Sequence, residues 1–295
     1  MSDILSQAEG SVYVADAVLQ ASELAAGTSL LMLHLHAPQL APLARPGQFV
    51  QARLDPLLPL RRALSILDAD PVSGKIVLLV QRQGQTGERL GKVQPGETLN
   101  LLGPLGHGFR YHHRRPVPLL VGEGIHAISL LFLALVLQRR GIQPHLWLAA
   151  TPPLMRQDAT LEEMMRWLGQ LGIAAGLIPA GMSSATPLSW DVGEQMGKHV
   201  AEFLDQAPQL QTSCELFVGG GRTLLQACGQ LAADRCLPAQ AAVFAPMACA
   251  LGGCWGCAVP LQGSRNQVRM VRACVEGPVL PLRRLVGLSR AAKVS

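Results

Sequence analysis

Aromatic residues are scarce in this sequence, which has 6 Phe, 4 Trp and 2 Tyr among 295 residues. Surfaces that bind nucleic acid commonly combine basic with aromatic side chains. The chain has a formal net charge of +5, but its basic residues follow no such pattern and no nucleic-acid-binding motif accompanies them. We therefore expect no nucleic-acid partner.

Long apolar runs without interruption are also missing. The stretch from Leu119 to Leu137 is apolar, but it contains Glu123, His126 and two glycines. A buried strand, a turn and a helix explain this composition better than a membrane span does. The first residues show neither the basic segment nor the apolar core of a secretory signal. We expect a cytoplasmic protein without a membrane span.

The cysteines do not form a disulfide framework. The chain has 7 cysteines, and most of them fall into one pattern near its C-terminal end. This distribution is typical of the reducing cytosol. Cys214, Cys228 and Cys236 follow no ligand spacing, and we interpret them as small apolar residues of the core.

The C-terminal cysteine pattern predicts an iron–sulfur cluster. Its spacing, C-x4-C-x2-C with a distant fourth cysteine, is the plant-type arrangement for a [2Fe-2S] cluster. The predicted metal ligands are Cys249, Cys254, Cys257 and Cys274.

Glycines lie between these cysteines. Gly252, Gly253 and Gly256 allow the sharp turns and close approach that a loop around a cluster requires. Backbone amides there can also donate hydrogen bonds to sulfur. The alternatives are a four-cysteine zinc site or unrelated buried thiols, but zinc sites more often have two C-x2-C pairs, and this sequence has one.

Basic residues are concentrated late in the chain. They form either a solvated face or a docking surface near the cluster for an acidic partner. These residues are Arg265, Arg269, Arg272, Arg283, Arg284, Arg290 and Lys293.

The N-terminal third alternates short apolar strands with turns. Strands are predicted at 11–15, 29–36, 48–53, 75–81 and 99–102, separated by Gly, Pro and Ser turns. Many short strands at this spacing indicate a small antiparallel barrel.

The pattern changes near Arg115 to strands that alternate with helices. Strands are predicted at 116–121, 145–150, 173–178 and 215–218. One helix is predicted to end at about Arg140, with Gly141 as its C-terminal cap. Two further helices are predicted at 160–171 and 223–233, and a loop at 179–189. Alternating strands and helices predict a parallel sheet.

Three further motifs accompany this order of elements. Arg62-Ala-Leu-Ser65 lies in the barrel region, and Gly103-Pro-Leu-Gly-His-Gly-Phe109 ends it. Met247 and Ala248 precede the first cysteine, and Cys274-Val-Glu-Gly-Pro-Val279 closes the pattern.

A barrel, an α/β region and a four-cysteine loop in this order resemble the ferredoxin–NADP reductase superfamily. The closing segment resembles, within it, the electron-transfer subunits of NAD-linked dihydroorotate dehydrogenases, and the similarity runs from residue 11 to 286. It implies a flavin-binding β-barrel at 1–112, an α/β nicotinamide-nucleotide-binding-like domain at 113–240 and a [2Fe-2S] module at 241–295.

The resemblance assigns FAD to the barrel. An arginine would contact the pyrophosphate and a small hydroxyl residue the isoalloxazine. The family has a proline at position 63 and a Gly-Thr turn that is reversed here. The implied residues are Arg62, Ala63, Leu64, Ser65, Leu79, Val80, Gln81, Thr86, Gly87 and Gly103.

The nicotinamide nucleotide would bind at two glycine turns, which contain Gly122, Gly124, Gly219 and Gly220.

Both turns depart from the family pattern, at Glu123, His126 and Val218. A carboxylate at 123 should repel phosphate, and a side chain at 126 should crowd it. Because protonated His126 would offset part of this, we expect nucleotide affinity to rise as the pH falls from about 8 to about 6.

The implied function is electron transfer in pyrimidine biosynthesis. Electrons would pass from the FMN of a partner dihydroorotate dehydrogenase subunit through the cluster and FAD to NAD+, in a heterotetramer, and the chain needs no catalytic acid or base. One alternative is a paralogue that serves another oxidoreductase and binds NAD(P)H weakly. Another is a zinc-binding module without redox activity.

Overall fold

The structure is a computed structural model. It describes residues 12–24, 30–54, 60–82, 84–112, 114–150, 161–179, 191–263 and 267–285. The described residues form a closed barrel, a six-stranded sheet flanked by helices, and a two-stranded hairpin.

The barrel confirms the predicted antiparallel architecture. Its strands are hydrogen-bonded in the closed order β1-β2-β5-β4-β3-β6. Helix α1, Gly84–Leu90, lies between β5 and β6. The strands are β1 Tyr13–Leu24, β2 Leu30–His36, β3 Phe49–Arg53, β4 Arg62–Asp70, β5 Lys75–Gln81 and β6 Thr98–Leu105.

Apolar side chains from facing strands fill the barrel. Leu33, Val50, Ile66 and Leu78 are fully buried in one cluster. Phe132, from the first helix of the α/β domain, packs against the same cluster and attaches that domain to the barrel.

The second sheet confirms the predicted strand–helix alternation. Its order is β14-β11-β10-β7-β8-β9, and all neighbouring strands are parallel except β11 and β14. The strands are β7 Val117–Glu123, β8 His145–Ala150, β9 Gly176–Pro179, β10 Cys214–Gly219, β11 Ala239–Ala242 and β14 Val279–Pro281. The helices are α2 Ile128–Arg139, α3 Leu161–Gln170, α4 Asp191–Gln206 and α5 Arg222–Asp234.

Helices cover both faces of this sheet. On β7, Leu120 packs with α2 on one face, whereas Leu119 and Val121 pack with α4 and α5 on the other. All of β10 is buried, as expected for a parallel strand with helices on both sides. The stretch from 119 to 137 is therefore a strand, a 3₁₀ turn (Gly124–Ala127) and a helix, as predicted.

The C-terminal segment returns to the sheet. A hairpin of β12 Ala258–Gln262 and β13 Val268–Arg272 follows the cysteine loop, and β14 then pairs with β11 as an edge strand. None of the helices in the described part of the chain is long and apolar enough to cross a membrane.

Two predictions were wrong. Cys214 and Cys228 are buried as expected, but Cys236 is exposed, with a positive φ of 53° after the end of α5. Thr86 and Gly87 lie in α1 and not in a turn. Arg265, Arg290, Lys293 and the predicted loop beyond Pro179 lie outside the described residues.

Candidate functional site

The four C-terminal cysteines lie as two pairs. The Sγ atoms of Cys257 and Cys274 are 3.3 Å apart and buried. The side chains of Cys249 and Cys254 are joined by a hydrogen bond, and Cys254 is exposed. The loop therefore has one buried and one outward-facing pair of thiols.

Backbone amides of the cysteine loop point at sulfur. Left-handed backbone at Ala250, Gly252 and Trp255 turns the chain sharply. As a result, Leu251 N lies 3.5 Å and Cys254 N 3.4 Å from the Sγ atom of Cys249. These amides lower the pKa of Cys249 to about 6, which favours the thiolate that binds metals.

The pKa of the buried Cys274 is shifted in the opposite direction. Desolvation, and then the neighbouring Cys257 thiol, raise the pKa of Cys274 to about 12. The Cys274 thiol therefore stays protonated at neutral pH unless a cation binds it.

This donor set fits a two-iron cluster. A [2Fe-2S] cluster takes four thiolates, two on each iron, whereas tetrahedral zinc needs its ligands around one point. No three His, Cys, Asp or Glu side chains of the described residues converge to hold one metal ion. The two thiol pairs, with amides directed at the Cys249 sulfur, match the first requirement.

Arg272 contacts both the cysteine loop and the segment that follows β13. Its guanidinium lies 4.9 Å from the centre of the exposed Trp255 ring. It also donates to the Gly252 carbonyl at 3.2 Å and to the Glu276 carboxylate at 2.9 Å. The arginine thus joins the loop to the segment that carries the last cysteine.

The Gly103–Phe109 motif contacts this last segment. His107 N donates to the Gly277 carbonyl, and Gly106 has a positive φ of 74°. A Cβ at Gly106 would lie 2.6 Å from Pro278 Cδ, so a larger residue would separate the two segments. A cleft of about 310 Å³ opens between them, lined by residues that include His107, Leu251 and Cys274.

The predicted flavin residues of β4 and β5 are adjacent. Ser65 lies opposite Leu79 in the ladder, and Arg62 begins β4. Among the described residues, the Arg62 guanidinium reaches only neighbouring carbonyls, at 3.3 and 3.4 Å. Within the described residues it pairs with no carboxylate, and the Ser65 hydroxyl has no hydrogen-bond partner.

Arg61, by contrast, has a structural role. It donates to the carbonyls of Gln51 and Asn100 and to the Asn100 side chain. Burial, followed by the charge of Arg53, lowers its pKa. Of the two adjacent arginines, only Arg62 remains available to a phosphate group.

Most of the other predicted flavin residues are buried apolar residues or glycines. Leu79 and Val80 are buried in core clusters, and Leu64 faces the barrel interior. A Cβ at Gly87 would overlap the Gln81 carbonyl oxygen, so this glycine lets α1 fold against the end of β5. Gly103 lies against Val50 of β3. A cationic side chain, and a hydroxyl without a hydrogen-bond partner among the described residues, fit a flavin nucleotide.

The predicted nicotinamide glycines face each other across β7 and β10. Gly122 and Gly219 are in register at the carboxyl ends of these strands. A Cβ at Gly219 would meet the His126 carbonyl, and one at Gly220 would meet Leu224. Both glycines are therefore covered by other parts of the chain.

Glu123 and His126 also make specific contacts at this edge of the sheet. Glu123 Oε2 accepts a hydrogen bond from Gly221 N at 3.3 Å. Burial raises the pKa of Glu123, and the Gly221 amide partly opposes this. The His126 ring contacts Phe244, with 4.9 Å between ring centres.

The pKa of His126 differs from that of an ordinary imidazole. Burial lowers its pKa, and its Nδ1 has no hydrogen-bond partner among the described residues. Protonation of His126 therefore occurs at a lower pH than that of an ordinary imidazole. Phe244 was not predicted as a site residue, since only the fold brings it to the His126 ring. Gly221 and Trp255 were not predicted either, although they adjoin the predicted Gly220 and Cys254 in the sequence.

Comparison with known proteins identifies the family. Residues 245–286 match the model of the iron–sulfur cluster binding domain of dihydroorotate dehydrogenase B. The electron transfer subunit of dihydroorotate dehydrogenase B (NAD(+)) from Desulforamulus reducens is 28% identical over 253 residues, covering 84% of this chain and 89% of the relative. The same subunit from Geobacillus thermodenitrificans is 30% identical over 255 residues, with the same coverage of 84% and 89%. This chain belongs to the family of dihydroorotate dehydrogenase B electron transfer subunits.

Solved structures support the fold of this electron transfer subunit. An NADH-dependent reduced ferredoxin–NADP oxidoreductase that performs flavin-based electron bifurcation has a TM-score of 0.66 at 21% identity, covering 92% of this chain and 90% of its own. The ferredoxin reductase of carbazole 1,9a-dioxygenase has a TM-score of 0.57 at 19% identity, covering 77% and 67%. At these identities the similarity concerns the fold alone.

Proposed function

We propose that this electron transfer subunit carries FAD and a [2Fe-2S] cluster and moves electrons between a dihydroorotate dehydrogenase catalytic subunit and NAD+. The observation that carries the proposal is the arrangement of four cysteines as two pairs, with amides directed at the outer sulfurs. Flavin exchanges hydride and single electrons, and a cluster exchanges single electrons.

In this proposal, Cys249 and Cys254 hold one iron, and Cys257 and Cys274 hold the other. Arg62 binds the FAD pyrophosphate, and Ser65 lies beside the isoalloxazine. The direct contact between the Gly103–Phe109 loop and the Cys274–Val279 segment supports electron transfer between the two groups, because it fixes the barrel against the cluster loop.

We propose the remaining assignments on the basis of the family to which the chain belongs. The partner is an FMN-containing catalytic subunit in a heterotetramer, the pathway is pyrimidine biosynthesis, and the location is the cytoplasm. The three proposed domains span 1–112, 113–240 and 241–295. Exposed Leu251 and Trp255 beside the outward cysteine pair suit a protein partner that covers the cluster loop.

A second candidate is a paralogue that serves another oxidoreductase and binds NAD(P)H weakly. The hydrogen bond between Glu123 and Gly221 favours it, since this carboxylate lies where the nucleotide phosphate is expected. A zinc-binding module is disfavoured, because the described residues do not converge on one metal ion.

Stepwise reduction tests the proposal. Photoreduction of the purified holoprotein under anaerobic conditions should require about three electrons per chain, two for flavin and one for the cluster. The Cys257→Ser variant should require about two, because only flavin remains. A protein that takes up no electrons carries neither group, and the proposed function would then be wrong.

A further inference from the structure

The parallel sheet has one position where ligands are expected. In open α/β sheets, ligands bind beyond the carboxyl ends of two adjacent strands whose connections run to opposite sides of the sheet. Here these strands are β7 and β10. The chain continues from β7 to β8 and β9 on one side, whereas β10 and β11 lie on the other side of β7. At this position Gly122 of β7 and Gly219 of β10 are paired in register.

A negatively charged side chain of the protein already occupies this position. Glu123 is the last residue of β7, and its carboxylate reaches the amide of Gly221, the residue that precedes α5. The N-terminus of α5 has no capping side chain of its own. Helix N-termini bind phosphate through free amides and the helix dipole. The carboxylate therefore takes the hydrogen bond that a phosphate oxygen would accept.

Two rings in contact, Phe244 after β11 and His126 in the 3₁₀ turn after β7, lie at the same edge of the sheet. Phe244 follows β11, is 64% exposed and contacts the ring of His126. The 3₁₀ turn that carries His126 lies directly over Gly219. Both rings therefore lie at the carboxyl end of the sheet, beside the end of β10.

We propose that Glu123 is an internal competitor of the dinucleotide phosphate and sets the affinity of this chain for nicotinamide nucleotides. This inference rests on the proposed function and deepens it by assigning the affinity to one residue. Nucleotide binding requires the carboxylate to leave the Gly221 amide, so the folded chain itself opposes binding. Glu123 is a specificity-determining residue and not a catalytic one.

A purely structural role for Glu123 makes a different prediction. If the carboxylate served only as a cap for α5, its removal would lower the stability of the protein and leave nucleotide affinity unchanged. If it competes with phosphate, its removal increases nucleotide affinity. Calorimetric titration with NAD+ separates the two, because NAD+ does not reduce the flavin.

The experiment uses holoprotein and four forms of the chain. Glu123→Gly should bind NAD+ at least about tenfold more tightly than wild type, since it removes both the charge and the side chain. Glu123→Gln keeps an oxygen that can accept from Gly221, so it folds with the α5 cap intact and should show a smaller gain. Glu202→Gln, on the exposed face of α4, has the same charge change and should bind like wild type.

Unchanged NAD+ affinity in both Glu123 variants would overturn the inference, as would an equal gain in Glu202→Gln. Flavin and cluster absorbance are recorded on the same wild-type sample. Absence of both from wild type defeats the proposed function, whereas their presence together with unchanged NAD+ affinity in the variants defeats only the role of Glu123.

Discussion

The sulfur atoms of Cys257 and Cys274 lie 3.3 Å apart, although the two residues are 17 positions apart in the chain. The β12–β13 hairpin makes this possible, because Ala258 pairs with Arg272 and so brings the two flanking cysteines together. The more distant ligand is thus positioned by strand pairing and not by the glycine loop.

Loss of one buried thiol should remove the cluster. Cys257→Ser should abolish iron content and cluster absorption while flavin remains, because a hydroxyl is a poor ligand for iron that a thiolate serves. Iron analysis and visible spectroscopy check this. Cys236→Ser, at an exposed cysteine outside the pattern, is the control and should keep its iron. Full iron content in Cys257→Ser would refute the ligand assignment.

Loss of the available arginine should weaken flavin binding. Arg62→Ala should reduce FAD affinity by about 1.5–3 kcal/mol, because a charge-assisted hydrogen bond to the pyrophosphate is lost. Calorimetry with deflavinated protein measures it. Arg114→Ala, at an exposed arginine between the barrel and β7, should have no effect. Equal FAD affinity in Arg62→Ala and wild type would assign the pyrophosphate to another group.

A methyl group at Gly87 should destabilise the flavin side of the barrel. Its Cβ would overlap the Gln81 carbonyl, and backbone atoms cannot move aside as a side chain can. Gly87→Ala should therefore cost about 1–3 kcal/mol in the free energy of unfolding.

Gly169→Ala is the matched control for this substitution. Gly169 is an exposed residue of α3 with nothing within 4 Å of a new Cβ, so alanine should stabilise the protein by about 1 kcal/mol. Denaturant unfolding of both variants provides the comparison. A Gly87→Ala protein as stable as wild type would show that α1 can shift away from β5.

NAD+ affinity should depend on pH through Glu123. Burial raises the pKa of this carboxyl above its usual 4.5, so it becomes neutral at a higher pH than an exposed glutamate does. Affinity should therefore rise as the pH falls through this raised pKa. The pKa of His126 is lowered from 6.5, so its protonation acts in the same direction but starts below that value.

Calorimetric titration between about pH 8 and about pH 5 measures this dependence. Cys228 also lies near Glu123, but burial and the glutamate charge raise its pKa to about 12, so it stays neutral throughout. Glu123→Gln should lose most of the pH dependence. A pH profile that is identical in wild type and Glu123→Gln would exclude this carboxyl as the cause.

The sequence predicted the regular strands and the cysteine pattern because both have strong local signals. Predictions for β5 at 75–81 and β8 at 145–150 agree with the structure. Helix α4 was not predicted, because Gly193 and Gly197 lower its helix propensity. In the fold these glycines let α4 approach α5, where larger residues would overlap Leu224 and Ala227.

The site was only partly predictable from the sequence, because some of its contacts form through strand pairing between distant parts of the chain. The spacing of the cysteines indicated the ligands, but their division into two pairs depends on the β12–β13 hairpin. Glu123 was recognised as a departure from the family pattern, whereas its partner Gly221 lies 98 positions away and becomes a neighbour only through the β7–β10 pairing.

The composition of the protein after anaerobic purification tests the central claim most directly. Quantitation of flavin, iron, acid-labile sulfide and zinc on one sample should give one FAD, about two irons and about two sulfides per chain. A chain that contains zinc, and neither acid-labile sulfide nor flavin, would contradict the account.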